Sequence, residues 1–152
     1  MAALAQGRDD VIVVAHPTME RLRELSGESV GFHWLVGDRR VCVHELVSDH
    51  PLRMASGVGN WYPLVSGAGG KAILANVSEA RLESILAKAE GADPTVVRGE
   101  LARARALGYA TSHADGRGGA RDHAPVGPYG ASPRGRFPLK TTFRKVDTTL
   151  TM

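Results

Sequence analysis

The chain has 152 residues, a formal net charge of +3 at neutral pH and a pI near 9.4, enough for one domain with a single core. The basic excess sits at one end: residues 114–152 hold seven Lys/Arg against three Asp/Glu (+4), which leaves twelve against thirteen (−1) for residues 1–113. The folded part therefore gives a nucleic-acid partner no electrostatic support. One cysteine, Cys42, excludes an internal disulfide, and no apolar run reaches the roughly 20 residues that span a bilayer.

In chain order, Met1 to Gly7 reads as a frayed helix end. Pro17 fits the first turn of a helix running to about Leu25, with Ala15, Met19, Leu22 and Leu25 on its apolar side and Gly27 as its cap. Glu28 to Val36 and Arg40 to Val47 alternate as two strands around a Gly37-Asp38-Arg39 turn. Val30, Phe32 and Trp34 mark one face of the first; Val41, Val43 and Val47 mark one face of the second. His33 and His44 could lie across from each other here, with Cys42 two residues away, and imidazole with thiolate suits zinc. The residues lack compact ligand spacing, so the histidines are read as structural or solvated and no metal or cofactor is assigned. A one-residue slip would send a side chain to the other face.

The segment Tyr62 to Ala75 changes character halfway. Tyr62 to Val65 is a short apolar strand, Ser66 to Gly70 a loop of small residues, and Lys71 to Ala75 the start of a helix. Small residues admit a ligand to the backbone, and a helix start offers unpaired N–H groups to an anion. A P-loop is excluded, because Val65 stands where its first glycine belongs and Ala72 follows the lysine. Ser66 is outside any Gly-x-Ser-x-Gly pattern, no Ser-x-x-Lys ends at Lys71 and no close carboxylate pair is evident, so the chain is not read as an enzyme. Ser78 and Thr95 are expected to cap helices through Lys88 and Leu107, the second ended by Gly108. The first carries Ala80, Leu82, Ile85 and Leu86 on its apolar stripe; the second carries Val97, Leu101, Ala104 and Leu107. Tyr109 to Thr111 enters a strand that leads to Ser112.

Pro63, Leu64, Ala68, Gly70, Lys71, Ala72, Leu74 and Ala75 resemble the effector loop of the IclR family of bacterial transcription regulators. Val65 replaces the usual histidine, Gly67 the usual Thr or Ser, and Gly69 is an added glycine. The resemblance covers residues 11–112 and includes Pro17 to Leu22, Ser26 to Val30, Pro51 to Met54 and Leu101 to Tyr109. It implies an α+β fold, an antiparallel GAF/PAS-like sheet with helices packed on one side. It implies residues 1–113 as a partial effector-binding domain, with 1–10 the remnant of a linker helix; the lone cysteine and the lack of a spanning apolar run add the expectation of a cytoplasmic protein without a membrane partner. It implies a small organic acid effector held by Ser66, Gly67, Ala68 and Gly69, with Met54 on the apolar wall and Ser112 at a polar position. DNA would be contacted only through a helix-turn-helix domain that this chain has no room for, so no operator-specific binding is expected of it alone.

Residues 114–152 combine six Gly and four Pro with few large aliphatics, and are expected to be a disordered Gly/Pro/Arg-rich tail in place of the family's last strands. A sheet left incomplete at the C-terminus would expose an edge and favour homo-oligomers. The competing reading is an oligomerisation module, or a remnant without a working pocket.

Overall fold

The computed structural model describes residues 2–51, 53–113, 121–126 and 138–144. Helix α1 (Ala2–Ser26) leads into the hairpin β1 (Val30–Val36) and β2 (Arg39–Leu46), then β3 (Trp61–Pro63). Three helices follow, α2 (Gly67–Leu74), α3 (Glu79–Leu86) and α4 (Pro94–Leu107), before strands β4 (Tyr109–His113), β5 (Arg121–Pro125) and β6 (Pro138–Arg144). The strands form one six-stranded sheet in the order β3-β2-β1-β6-β5-β4, and every pairing in it is antiparallel. The α+β class and the antiparallel sheet are those expected.

The tail departs from expectation. Two strands lie within residues 114–152, and they take the middle of the sheet, β6 against β1 and β5 against β4. The unpaired edge expected after residue 113 is therefore filled by β5, with β4 left at the sheet's end. Repeated Thr and Phe in Pro138–Arg144 carry the β-propensity that composition averaged over 39 residues concealed. The rest of the expected disordered tail, residues 114–120, 127–137 and 145–152, lies outside the described residues.

The core has two parts. Val30, Phe32 and Val43 pack with Ala15 and Met19 of α1, while Leu64, Ala72, Leu74, Leu82, Leu101, Ala110 and Ala124 form a larger cluster under α2 to α4. Leu35, of opposite parity to Phe32 on β1, packs on the larger cluster. Helices thus cover both faces of the sheet, rather than one. In α1 the apolar side ends early, since Ala15 and Met19 are buried but Leu25 is exposed. Pro17 lies inside this continuous helix instead of at its start. The carbonyl it cannot satisfy is that of Val13, on an exposed stretch where water can replace the missing N–H.

Ser78 caps α3 as expected, its hydroxyl accepting from the Arg81 N–H. Helix α4 begins two residues earlier than expected. Asp93 is its cap, accepting from the N–H groups of Thr95 and Val96, and Pro94 sits where no N–H is needed. Gly108 ends it in the left-handed conformation, φ 77°.

Helix α2 is buried along its length from Ala68 to Leu74. Its first turn is the Gly-rich stretch itself, so the helix starts four residues before the expected Lys71. Tertiary packing overrides the poor helix propensity of glycine here. At Gly70 a Cβ would lie 2.3 Å from the Leu64 carbonyl oxygen, a backbone atom that cannot swing away. Gly70→Ala is accordingly expected to lower stability by about 1–3 kcal/mol, the usual cost of overpacking. Urea unfolding of the variant should show a lower midpoint with an unchanged slope.

Candidate functional site at the start of helix α2

Helix starts leave N–H groups without intrahelical partners, and a side chain normally caps them. Ser66 occupies the cap position of α2 yet makes no such bond; its hydroxyl donates to the Pro63 carbonyl at 3.3 Å. The partner comes from another strand. Asp122 of β5 accepts from the buried Ala68 N–H at 2.7 Å, across 54 residues of sequence. The position read as an anion site does hold a carboxylate, and it is the chain's own.

Facing the same carboxylate is Arg40, on the β2 side of the loop. A Cβ on Gly67 would lie 2.8 Å from Arg40 Nη2 and 3.3 Å from Asp122 Oδ2, so both groups crowd this residue. Gly67 also has φ 69°, a conformation that side chains rarely adopt. Arg40 is 5% exposed. Burial pulls its pKa down, and the charge of Asp122 acts against that shift, followed by Tyr62 and Cys42. Its Nη2 donates to the Ser66 carbonyl at 3.4 Å and its guanidinium lies 4.8 Å from the centre of the Tyr62 ring. Among the described residues its buried Nε finds no hydrogen-bond partner.

His33 completes the group. Arg40 Nη1 donates to His33 Nδ1 at 3.1 Å, which leaves Nε2 as the protonated nitrogen, 3.5 Å from Ser56 Oγ. Burial first, and the Arg40 charge second, push the His33 pKa down to about 3. The imidazole is therefore neutral at physiological pH and Arg40 carries the positive charge alone. Ser56 is held in place by its neighbours. Glu45 accepts from the N–H groups of Ser56 and Gly57 at 2.6 and 2.9 Å, and the Asn60 amide and Tyr62 hydroxyl donate to the Ser56 carbonyl.

Of the residues singled out from sequence, Ser66, Gly67, Ala68 and Gly69 fall together in the first turn of α2. Ser112 is buried on β4 and pairs in register with Asp122, so it joins them. Met54 is half-buried two residues before Ser56, in the segment that leads to the site. Lys71 faces away, in an ion pair with Glu100 of α4 at 2.8 Å.

Three residues escaped the sequence reading. Arg40 carried little signal, being the second of the Arg39-Arg40 pair that opens β2 directly after the turn. Asp122 carried none, since it lies in a Gly/Pro-rich stretch. His33 was weighed as a metal ligand opposite His44 and read as structural or solvated; the pairing with His44 does not form, and its place beside Arg40 was not anticipated. A bulge shifts the register after Phe32, so His44 pairs with Phe32 and His33 with Cys42. His44 consequently faces α1, where its Nε2 lies 3.0 Å from His16 Nδ1. Among the described residues no cluster of three or more His, Cys, Asp or Glu could hold a metal ion.

The antiparallel sheet with its buried, small-residue helix start matches the C-terminal domain of a bacterial transcriptional regulator. Residues 3–121 match the family described as "Bacterial transcriptional regulator IclR C-terminal". The chain belongs to the IclR family. It is 34% identical over 109 residues to the HTH-type transcriptional repressor AllR of Escherichia coli K12, covering 66% of this chain and 40% of that protein. It is 26% identical over 110 residues to the transcriptional repressor IclR of the same strain, again over 40% of its length. The chain thus spans well under half of these curated relatives. A C-terminal domain of a putative transcriptional regulator from Vibrio cholerae superposes with TM-score 0.76 at 26% identity, covering 89% of this chain and 82% of that one. The Thermotoga maritima IclR structure superposes with TM-score 0.79 at 23% identity, covering 98% and 65%, and supports the fold. The family consists of transcriptional regulators rather than enzymes. No helix among the described residues is long and apolar enough to cross a membrane.

The neutral state of His33 sets a pH dependence. Its folded pKa lies below the unfolded value of 6.5, so between those limits the unfolded chain binds a proton that the folded one does not. Stability present above pH 6.5 is lost as pH falls toward 3. The wild type should lose about 1.4 kcal/mol more per pH unit than His33→Gln between pH 6 and 4, read by urea unfolding.

Proposed function

We propose that this chain is the effector-sensing part of an IclR-family regulator and that it binds a small organic acid at the first turn of α2. The observation that carries the reading is the Ala68 N–H bound to a carboxylate beside a buried guanidinium whose Nε is left without a partner. One donor is used by Asp122 and one is spare. An acid that takes the Ala68 N–H from Asp122 and reaches Arg40 would change what holds β5 to α2, and this is how occupancy would be felt by the sheet. Gly67 and Gly69 keep the approach clear, Ser66 and Ser112 supply polar contacts, and Met54 forms the apolar wall. DNA is contacted, on this reading, through a part of the regulator outside these 152 residues, and the protein works in the cytoplasm.

The test is calorimetric titration with acetate, pyruvate and succinate. A helix start contributes about 0.3–1 kcal/mol to an exposed anion and up to about 2 when partly buried, so affinity in the millimolar range is expected. Gly69→Leu should abolish the heat of binding, and binding that survives this change would place the acid elsewhere.

Self-association is a second reading with its own observation. Val13, Val14 and Leu25 of α1 are 70%, 79% and 76% exposed, an apolar surface on the helix opposite the site. We propose that a second copy of the chain covers it. In sedimentation velocity the wild type should run as an oligomer and Val14→Glu as a smaller species; a wild-type monomer at high concentration would rule this out.

A further inference from the structure

Beside α2, the groove between α4 and the end strand β4 forms an open cavity of about 430 Å³. We propose that it is a second ligand site, distinct from the helix start, for a small anion with a flat apolar body such as an aromatic carboxylate.

Three features of the wall support this. The first is Gly99, in the middle of α4. A Cβ there would meet nothing within 4 Å, and the backbone is ordinary helix rather than the positive-φ kind that requires glycine. Glycine at such a position weakens a helix relative to alanine, with no gain in packing to offset it. What its bare backbone does is leave the cavity open. The second is charge. Lys71 is committed to Glu100, whereas Arg103 on the next turn makes no hydrogen bond or ion pair among the described residues. The wall holds two cations and one carboxylate, and the unmatched cation is exposed at the mouth. The third is the apolar surface. The Tyr109 ring is 43% exposed, and Val96 and Leu107 are more than half exposed, all bordering the same cavity. A flat apolar body against Tyr109 with its carboxylate on Arg103 satisfies both wall types. The Lys71–Glu100 pair ties this cavity to α2, the helix whose opposite end meets Asp122, so the two sites share one rigid element.

Protein labelled with nitrogen-15 is titrated with benzoate, and with benzamide as its uncharged counterpart, following backbone amides by NMR. Benzoate is expected to shift the amides of Gly99, Glu100, Arg103, Tyr109 and Thr111 at millimolar concentration. Benzamide should bind about tenfold more weakly, the loss of one charge-assisted hydrogen bond. Arg103→Gln, a surface change that should leave the fold intact, is expected to weaken benzoate about tenfold. Gly99→Leu should fill the cavity and block binding, with a melting temperature no lower than wild type. Equal binding of benzoate by Arg103→Gln, or shifts confined to Ala68 and Gly69, would overturn the proposal. So would the absence of any shift at tens of millimolar. Pyruvate shifts at Ala68 and Gly69 report on the helix-start site independently, so failure of one site does not imply failure of the other.

Discussion

The contact on which the remainder depends is the Asp122 carboxylate between the Ala68 N–H and the Arg40 guanidinium. It joins three separate pieces of chain: the hairpin that carries Arg40, the helix that starts at Gly67, and the strand that carries Asp122. Each partner would be costly alone. A buried guanidinium without a counter-charge pays a desolvation penalty of several kcal/mol, and a buried helix start leaves donors unmet. Together they neutralise one another. His33 beside them remains neutral, first because it is buried and second because the Arg40 charge opposes another cation next to it.

The sequence made local structure legible wherever one residue type dictates one geometry. Gly108 ends α4 because only a left-handed residue fits, and Ser78 caps α3 because its hydroxyl reaches the free N–H three residues on. The hairpin was legible from alternation, but not its register, since the bulge at Val43 depends on how β1 and β2 twist against α1. Pro17 misled for a similar reason: a helix tolerates it when the orphaned carbonyl faces water, and that is a tertiary fact. At the candidate site, the glycines and Ser112 could be found by pattern and family resemblance. Asp122 could not, because its role arises only when β5 enters the sheet.

The departures from the family's loop pattern now have physical content. Val65, in place of the usual histidine, packs half-buried against the larger core cluster. Gly67, in place of Thr or Ser, adopts positive φ and admits Arg40 to within contact of the loop. The loop has exchanged side-chain hydroxyls for backbone access. On the proposed reading, specificity for an acid would rest on Arg40, His33 and Ser112 more than on the loop itself.

The strand order β3-β2-β1-β6-β5-β4 puts the last described strand at the centre. During synthesis, the α1 hairpin and the α2–α4 bundle are both complete before β6 leaves the ribosome. Until it arrives, β1 and β5 each present a bare edge, and only β1, through Phe32 on one face and Leu35 on the other, touches both core clusters. The chain must therefore wait for its C-terminal segment with two open templates, a window in which strand exchange between neighbouring copies competes with closure. Rapid translation of codons 126 to 144 shortens that window, and a stop codon between β5 and β6 holds it open indefinitely.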